Sequence, residues 1–183
     1  MSNVVHRLAA LEEAGIAHEG RLLILIAAFS DPEERDGIRG LTKLAKLDFL
    51  LRYPTYLERA LKARKRSTQA VNLKDFEMRS VESRMVRYRF GPWDHRYPEM
   101  LRRLGARGLI SVAKDGRTVV MRATAAGSAL VAQLRETKQF EDLSVRAHAL
   151  RTHLDLTATN LMKFIYETFP EVVSLRSNEE IDL

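Results

Sequence analysis

Apolar residues at the start of the chain recur at helical spacing. The first predicted helix is capped by Ser2 and has Gly15 near its end. Its apolar face consists of Val5, Leu8, Ala9 and Leu11. Residues 22–29 are apolar nearly all round, which predicts a buried helix and leaves a strand open as the alternative. The polar, glycine-bearing stretch 31–40 is predicted to be a loop.

A second helical pattern follows this loop. Its apolar residues lie three or four positions apart, at Leu41, Leu44, Leu47 and Leu51. Pro54 lacks a backbone donor and opposes the preceding turn, so the chain is predicted to kink there or to start a new helix with proline in its first turn. Residues 62–69 are basic and polar, and we expect this link to be the most mobile segment inside the chain.

The middle of the chain changes from the period of a strand to that of a helix. Side chains alternate over residues 85–90, which predicts a half-buried strand, and a Gly91-Pro92 turn is expected to follow it. The next helix carries an apolar stripe at Tyr97, Leu101 and Leu104.

Two paired strands are predicted next, over residues 109–113 and 118–121. They flank Asp115-Gly116, a strong hairpin signal, because the favoured two-residue turn needs positive φ at both centres. The remaining predicted elements are helices at 125–138, capped by Thr124, at 140–154 and at 157–169, and a charged tail at 178–183.

A strand, a basic helix and a hairpin in this order predict a winged helix. The expected fold class is mainly α with a small β-wing, an α+β winged helix-turn-helix with N-terminal and C-terminal helical extensions. We expect a winged-helix domain with its N-terminal helices at residues 1–138, and a C-terminal helical extension with an acidic tail at 139–183.

The last predicted helix carries an apolar stripe that needs a hydrophobic partner surface. That surface belongs to this chain, to a second copy or to another protein, and the sequence leaves the three alternatives open. The candidate partner-docking residues are Leu161, Phe164, Ile165 and Phe169.

The composition fits a chain of 183 residues with 45% apolar content that buries one sizeable core. The absence of cysteine excludes disulfide frameworks, thiolate metal sites and thiol nucleophiles, and it favours a reducing compartment. Residues 1–7 lack the features of a signal peptide, and the run 22–29 is too short to span a bilayer. We therefore expect a soluble, cytoplasmic protein with no membrane partner.

Charge is distributed unevenly along the chain, whose formal net charge is +6. Residues 1–122 contain 24 Lys and Arg against 15 Asp and Glu, a net charge of +9, whereas residues 123–183 contain 6 against 9, a net charge of −3. Residues 52–107 alone hold 15 basic and 6 acidic side chains. This field favours a polyanion, either nucleic acid or an acidic protein surface, and a solubilising surface stays open as the alternative.

Two basic surfaces are candidates for contact with duplex DNA. The helix that enters the major groove in a winged helix carries arginines near one face here, and the hairpin adds two further cations. Glu99 interrupts this stripe, where it can pair with Arg102 and Arg103 and would repel phosphate, so a solvated charged face is an almost equal alternative. The second surface is predicted to make salt-sensitive contacts without sequence preference. The candidate residues are Arg96, Arg102, Arg103 and Arg107 on the helix, Lys114 and Arg117 on the hairpin, and Arg59, Lys62, Arg64, Lys65 and Arg66 in the second surface.

No catalytic constellation, metal site or cofactor is predicted. His148 and His153 are five residues apart and diverge around a helix, so they are not expected to share a metal. Asp94 and His95 are adjacent, and we expect Asp94 to cap the following helix instead of orienting the imidazole. The glycines form no phosphate-binding loop, and no serine lies in a nucleophile elbow. A hydrolase or metalloenzyme therefore ranks third among the functional alternatives.

Two stretches of this chain resemble a known family. Residues 41–54, LTKLAKLDFLLRYP, and residues 88–93, YRFGPW, are similar to the middle components of bacterial three-component ABC systems, which are related to Lamassu-type defence. The similarity runs over about residues 20–138, and the Gly-Pro-aromatic turn also occurs in other winged-helix families. The resemblance implies a small non-enzymatic subunit that joins an SMC-like ABC ATPase to an effector, often a nuclease.

From these observations we expect an accessory subunit of an SMC-like ABC ATPase complex in anti-phage or anti-plasmid defence, with DNA contact as a second role. Its partners would be the ATPase, an effector subunit and duplex DNA, and no oligomeric state is predicted. The alternative is a dimeric winged-helix transcriptional regulator. That protein would read a palindrome in duplex DNA with Arg96, Arg102, Arg103 and Arg107.

Overall fold

A computed structural model describes residues 2–31, 36–75, 77, 85–88 and 91–181, with the backbone alone for residues 2–14. The described residues form eight α-helices, five β-strands and one short 3₁₀ helix at Gln69–Val71. In chain order the elements are α1 (Ser2–Ala28), β1 (Ile38–Arg39), α2 (Leu41–Arg52), α3 (Pro54–Ala63), β2 (Val86–Tyr88), β3 (Gly91–Trp93), α4 (Tyr97–Ala106), β4 (Ile110–Asp115), β5 (Thr118–Ala123), α5 (Ala125–Arg135), α6 (Lys138–Leu154), α7 (Ala158–Thr168) and α8 (Pro170–Ser174). Helices with a small antiparallel sheet make this an α+β protein, as predicted.

The helix α1 is continuous and contains both N-terminal helical patterns. Gly15 lies inside it rather than near its end, and the apolar run that starts at Leu22 is helical, so the strand alternative is wrong. A glycine inside a helix costs about 1 kcal/mol. Burial of one large apolar side chain contributes about 1.5–3 kcal/mol, and the five residues from Leu22 to Ile26 are at most 1% exposed. Packing of this segment therefore outweighs the glycine.

The break between α2 and α3 lies at Tyr53-Pro54, as the sequence predicts. Tyr53 ends α2 with φ of −115° and ψ of 82°, and Pro54 is in the first turn of α3. An extended conformation is the one that a residue before proline favours. The prediction of a new helix is confirmed.

One strand lies in the stretch 31–40 that was predicted to be a loop. Ile38 and Arg39 form β1 and pair with Met121 and Val120 of β5. Ile38 is fully buried. Two residues are too few to show an alternating pattern, so periodicity could not reveal this strand.

The three-stranded sheet has the order β1-β5-β4 and is antiparallel throughout. The predicted hairpin is confirmed, but Asp115 pairs with Thr118, so the turn consists of Gly116 and Arg117. Of these two residues only Gly116 has positive φ, at 60°. Glycine at the first central position is typical of a type II′ turn, which explains the shift of one residue from the predicted Asp-Gly turn.

The Gly91-Pro92 pair lies inside β3 rather than in a turn. β2 and β3 form an antiparallel pair in which Tyr88 is opposite Gly91 and Arg87 is opposite Pro92. Proline lacks a backbone N–H and is tolerated because β3 is an edge strand of this two-stranded sheet. Residues 89–90 of the predicted strand lie outside the described residues.

The C-terminal segment docks on β2. The backbone N of Ile181 donates to the carbonyl oxygen of Met85 at 2.9 Å, and Arg87 exchanges backbone hydrogen bonds with Glu179 and Asn178. Ile181 is buried. The charged tail is therefore part of the fold as far as Ile181, and residues 182–183 lie outside the described residues.

The C-terminal helices share a hydrophobic core with the N-terminal ones. Thr124 caps α5 as predicted, because its Oγ1 accepts the backbone N–H of Gly127 at 3.1 Å. The helix ends at Arg135, earlier than predicted, and α6 begins at Lys138, two residues before the predicted start at 140. α6 packs against α1 and α2, with Gly20 so close to Phe140 that a Cβ would lie 2.9 Å from the ring. None of the helices that the described residues form is long and apolar enough to cross a bilayer.

Candidate functional site

The helix α4 and the two residues that flank it carry four of the eight arginines predicted to face DNA. Its inward face buries a stripe at Tyr97, Met100, Leu101 and Leu104. The remaining positions are turned outward, so Arg102, Arg103 and Arg107 are exposed. Arg96 precedes the helix and is also exposed. The sequence therefore located this face correctly.

Carboxylates occupy the arginine face of α4. Glu99 accepts from Arg102 Nη2 and from Arg103 Nε, each at 2.7 Å, and these hydrogen bonds lower the pKa of Glu99. Glu19 of α1, which is 6% exposed, accepts from Arg107 Nη1 at 2.6 Å and lies 3.5 Å from Arg103 Nη1. Three of the candidate arginines thus contact carboxylates of this chain, with two carboxylates shared among them.

Asp94 pairs with Arg96, the fourth candidate arginine of this face. Its carboxylate accepts from Arg96 Nη2 at 2.8 Å and from the backbone N of Arg96 at 2.9 Å. Asp94 does not cap α4, because the N-cap residue is Arg96 and no side chain caps the helix. The carboxylate is instead buried and also accepts from Arg52 Nη2 at 2.6 Å. Burial opposes ionisation, but Arg96 and Arg52 hold the pKa of Asp94 well below its usual range.

A buried network of charged groups lies behind this face. Its centre is Asp48 of α2, which accepts from Arg21 Nε and Arg52 Nε at 2.9 Å and from the Tyr97 hydroxyl at 2.7 Å. Burial alone would raise the pKa of Asp48, but the two guanidinium groups and the Tyr97 hydrogen bond outweigh it and hold the pKa at about 2. The network joins α1, α2 and α4 and so fixes the position of the arginine face.

His18 completes the network on α1. Its Nδ1 lies 2.9 Å from Arg21 Nη1. When the ring is neutral with its proton on Nε2, Nδ1 accepts a hydrogen bond from the guanidinium group. Burial, followed by the charge of Arg21, lowers the pKa of His18 to about 4. The ring is therefore neutral at pH 7 and orients Arg21 toward Asp48.

Two members of the second basic surface are also paired. Arg59 Nη1 contacts Glu171 at 2.5 Å, and its guanidinium lies over the ring of Phe169, 5.0 Å from the centroid. Lys62 pairs with Glu58 at 2.9 Å, one turn along the same helix. Arg59 thus joins α3 to α8, and its guanidinium already has a partner.

Five candidate cations are exposed and make no ion pair with any residue in the described part of the chain. Three follow α3, at Arg64, Lys65 and Arg66, and two lie on the β4–β5 hairpin, at Lys114 and Arg117. Lys65 has φ of 53°, which turns the backbone at the end of α3. These five residues are the part of the predicted DNA surface that an anion can reach without displacing a carboxylate.

The predicted docking stripe on α7 is mostly internal. Leu161, Ile165 and Phe169 are fully buried, and Phe164 is partly buried against the same core. Phe169 packs edge-on against Tyr56, with ring centroids 5.0 Å apart. The surface that covers this stripe belongs to this chain, so the three buried residues are not available to a partner.

No group of three or more His, Asp or Glu is arranged to hold a metal ion among the residues that the structure describes. His148 and His153 line one groove of about 500 Å³ on the outer side of α6. Comparisons with models of protein families, with curated proteins and with solved structures found no match to this chain. The interpretation of the site therefore rests on its geometry and charge.

Proposed function

We propose that this chain is a non-enzymatic, winged-helix accessory subunit of an SMC-like ABC ATPase complex, which bridges the ATPase and an effector in anti-phage or anti-plasmid defence. The observation that carries the proposal over a base-reading role is the pairing of Arg102, Arg103 and Arg107 with Glu99 and Glu19. A helix that reads bases presents its arginines to guanine edges rather than to carboxylates of its own chain.

The order of the elements supports the winged-helix part of the proposal. A helix, a short strand, helices and a hairpin follow one another in α1, β1, α2, α4 and β4–β5, and the first strand lies beside the last in the sheet. This order is typical of winged helices. Here α3, the segment that follows it and the β2–β3 pair lie between α2 and α4.

The placement of the two family-like stretches also supports the proposal. Leu41 and Ala45 of the first stretch and Tyr88 and Trp93 of the second line the same small pocket. Two motifs that are far apart in sequence thus belong to one structural unit.

The exposed cations support DNA contact as a secondary role. Arg64, Lys65 and Arg66 follow one another in the chain and contact no carboxylate in the part of the chain that the structure describes. Such a cluster binds phosphate through its charge and does not discriminate between bases. We therefore propose that these residues help the complex to capture DNA and do not recognise a particular sequence.

The strand β4 is the surface we assign to the ATPase. It is an outer strand of the sheet, and five of its six residues are exposed. Val112 lies in the middle of this strand and is 49% exposed. An outer strand with an exposed apolar side chain is suited to pairing with another chain.

The test is co-purification with an SMC-like ABC ATPase encoded beside this gene. We expect the tagged chain to retain the ATPase at low salt and Val112→Glu to reduce the retained amount about tenfold, because a charge on an outer strand opposes pairing. Val145→Glu is the matched control, since Val145 on α6 is 48% exposed. Recovery of the wild-type chain without the ATPase would contradict the subunit proposal, and equal retention by both variants would contradict the assignment of β4.

A dimeric transcriptional regulator is the second candidate. The observation that favours it is the exposure of the arginines on α4. The side chain of Arg102 is 70% exposed and that of Arg103 is 53% exposed. Exposed ion pairs are worth at most about 1 kcal/mol, so phosphates or bases can replace Glu99. This candidate predicts sequence-specific duplex binding that survives competitor DNA and is lost in Arg103→Ala.

A further inference from the structure

A small pocket lies between α2 and the β2–β3 pair. Its volume is about 260 Å³, below the range of about 300–1,000 Å³ that is typical of sites for drug-sized ligands. The walls are mainly apolar and include Ala45 of α2 and the rings of Tyr88, Pro92 and Trp93. Among the described residues of the wall, Lys46 is the one that carries a cationic group.

Lys46 makes no ion pair with any residue that the structure describes. Lys46 is 2% exposed, and its Nζ donates one hydrogen bond, of 3.2 Å, to the carbonyl oxygen of Thr42. Each of the other buried lysines and arginines that the structure describes contacts a carboxylate. These residues are Arg21, Lys43, Arg52 and Arg146. Burial lowers the pKa of Lys46 to about 8, so the amine remains mostly protonated at pH 7. A buried cation without a counter-ion costs several kcal/mol.

The backbone at Gly91 keeps the pocket open beside this amine. Gly91 has φ of 108°, and a Cβ at this position would lie 4.0 Å from Cε of Lys46 and 3.6 Å from Cε1 of Tyr166. Any side chain there would be strained and would fill the space next to the amine. The ring of Trp93 lies 6.0 Å from that of Tyr88, so the two rings form one aromatic wall.

We propose that this pocket binds an apolar carboxylate, that is, a carboxylate carried on an aromatic or branched aliphatic group. The carboxylate pairs with Lys46 Nζ, and the apolar body packs against Tyr88 and Trp93. The same chemistry is offered by a free organic acid and by the C-terminal residue of a polypeptide. The site is independent of the accessory role proposed above.

Trp93 provides a direct test, because it is the only tryptophan in the chain. The full chain is titrated with benzoate, isovalerate, 3-phenylpropionate and N-acetyl-phenylalanine, and the fluorescence of Trp93 is followed. We expect a saturable change with a dissociation constant of about 1 mM or less for at least one acid, and about tenfold weaker binding of the corresponding amide. Tighter binding of N-acetyl-phenylalanine than of 3-phenylpropionate identifies a polypeptide terminus as the source, and the reverse order identifies a free acid.

Two variants distinguish the contribution of the Lys46 charge to binding from that of the apolar pocket. Lys46→Met keeps the apolar stem and removes the ammonium, so we expect it to bind the acid at least about tenfold more weakly. Lys43→Met removes a buried ammonium one turn away on the same helix, outside the pocket, and should bind the acid as the wild type does. No saturable change with any of the acids at about 10 mM would overturn the proposal. Equal binding of acid and amide by the wild-type chain would also overturn it, and this comparison needs no variant.

Discussion

Two lysines on α2, three residues apart, are both buried, but only one of them contacts a carboxylate among the described residues. Lys43 Nζ contacts Asp155 at 2.6 Å and lies 5.6 Å from the centroid of the Phe29 ring. Lys46 has only the Thr42 carbonyl oxygen. The same side chain therefore stabilises the fold at one position and destabilises it at the next turn.

We expect Lys46→Met to raise the free energy of unfolding by about 1 kcal/mol or more at pH 7, because it removes an unpaired buried charge. Lys43→Met should lower it by about 1 kcal/mol, because Asp155 loses one of its two cationic partners and keeps only Arg151. Urea denaturation of the two variants and the wild type measures both effects. Destabilisation of equal size in both variants would contradict the distinction.

The pH dependence of the same comparison follows from the pKa of Lys46. The folded chain loses the proton of Lys46 at about pH 8, whereas the unfolded chain keeps it up to about pH 10.5. Wild-type stability therefore rises with pH in this window, because the unfolded state binds more protons. The advantage of Lys46→Met over the wild type should shrink between pH 8 and pH 10.5.

Local spacing revealed some of these residue contacts and not others. The pairing of Glu99 with Arg102 and Arg103 follows from separations of three and four residues on a helix. Glu19 is 84 and 88 residues from the arginines that it contacts, so no local pattern could show it. Asp48 lies between two apolar residues of α2, and this position was the one local signal of a buried charge.

At the scale of elements, those with strong local signals were predicted and those defined by distant partners were not. The start of α3 at Pro54, the apolar stripe of α4 and the cap at Thr124 each depend on one short stretch of sequence. β1 exists because it pairs with β5, more than 80 residues away. The continuity of α1 likewise depends on α5 and α6, which pack along it.

Glu19 of α1 contacts Arg103 and Arg107 of the arginine face, and we call this contact the α1–α4 clamp. We expect Glu19→Gln to release Arg107 and to tighten duplex DNA binding about threefold or more at low salt, because one more cation becomes available to phosphate. Arg103 stays paired with Glu99 in this variant. Fluorescence anisotropy with a labelled duplex measures this change.

Glu136→Gln is the control for Glu19→Gln, because Glu136 at the end of α5 is exposed and its replacement alters the net charge by the same amount. Equal tightening in the two variants would mean that net charge, and not the clamp, limits DNA binding. We also expect the free energy of unfolding to fall by about 1 kcal/mol in Glu19→Gln and not in Glu136→Gln.

At the scale of the whole molecule, ion pairs within the chain leave fewer basic side chains available to an anion than the sequence contains. The composition correctly located the excess of basic residues between residues 52 and 107. Composition does not reveal which of these cations have carboxylate partners in the fold. The exposed candidates that make no ion pair with a described residue are Arg64, Lys65 and Arg66 after α3, and Lys114 and Arg117 on the β4–β5 hairpin.

We therefore expect the triple change of Arg64, Lys65 and Arg66 to alanine to weaken duplex binding and to reduce the slope of log affinity against log salt by about 2–3. Arg103→Ala is the comparison, and it should leave affinity within about twofold of the wild type because this arginine is already paired. Titrations at several salt concentrations, with and without competitor DNA, measure both quantities. A large loss in Arg103→Ala with little effect of the triple change would favour the transcriptional regulator.

The docking of the C-terminal segment on β2 links the two ends of the β2 contact, and we expect them to open together. The Tyr53 hydroxyl donates to the carbonyl oxygen of Ile181 at 3.0 Å and accepts the backbone N–H of Met85 at 2.8 Å. A single phenol group thus connects the α2–α3 break, the start of β2 and the final segment. Local unfolding of the last residues removes a neighbour of β2, so we expect the β2–β3 pair and the end of the chain to exchange their amide protons at similar rates, which native-state hydrogen exchange measures.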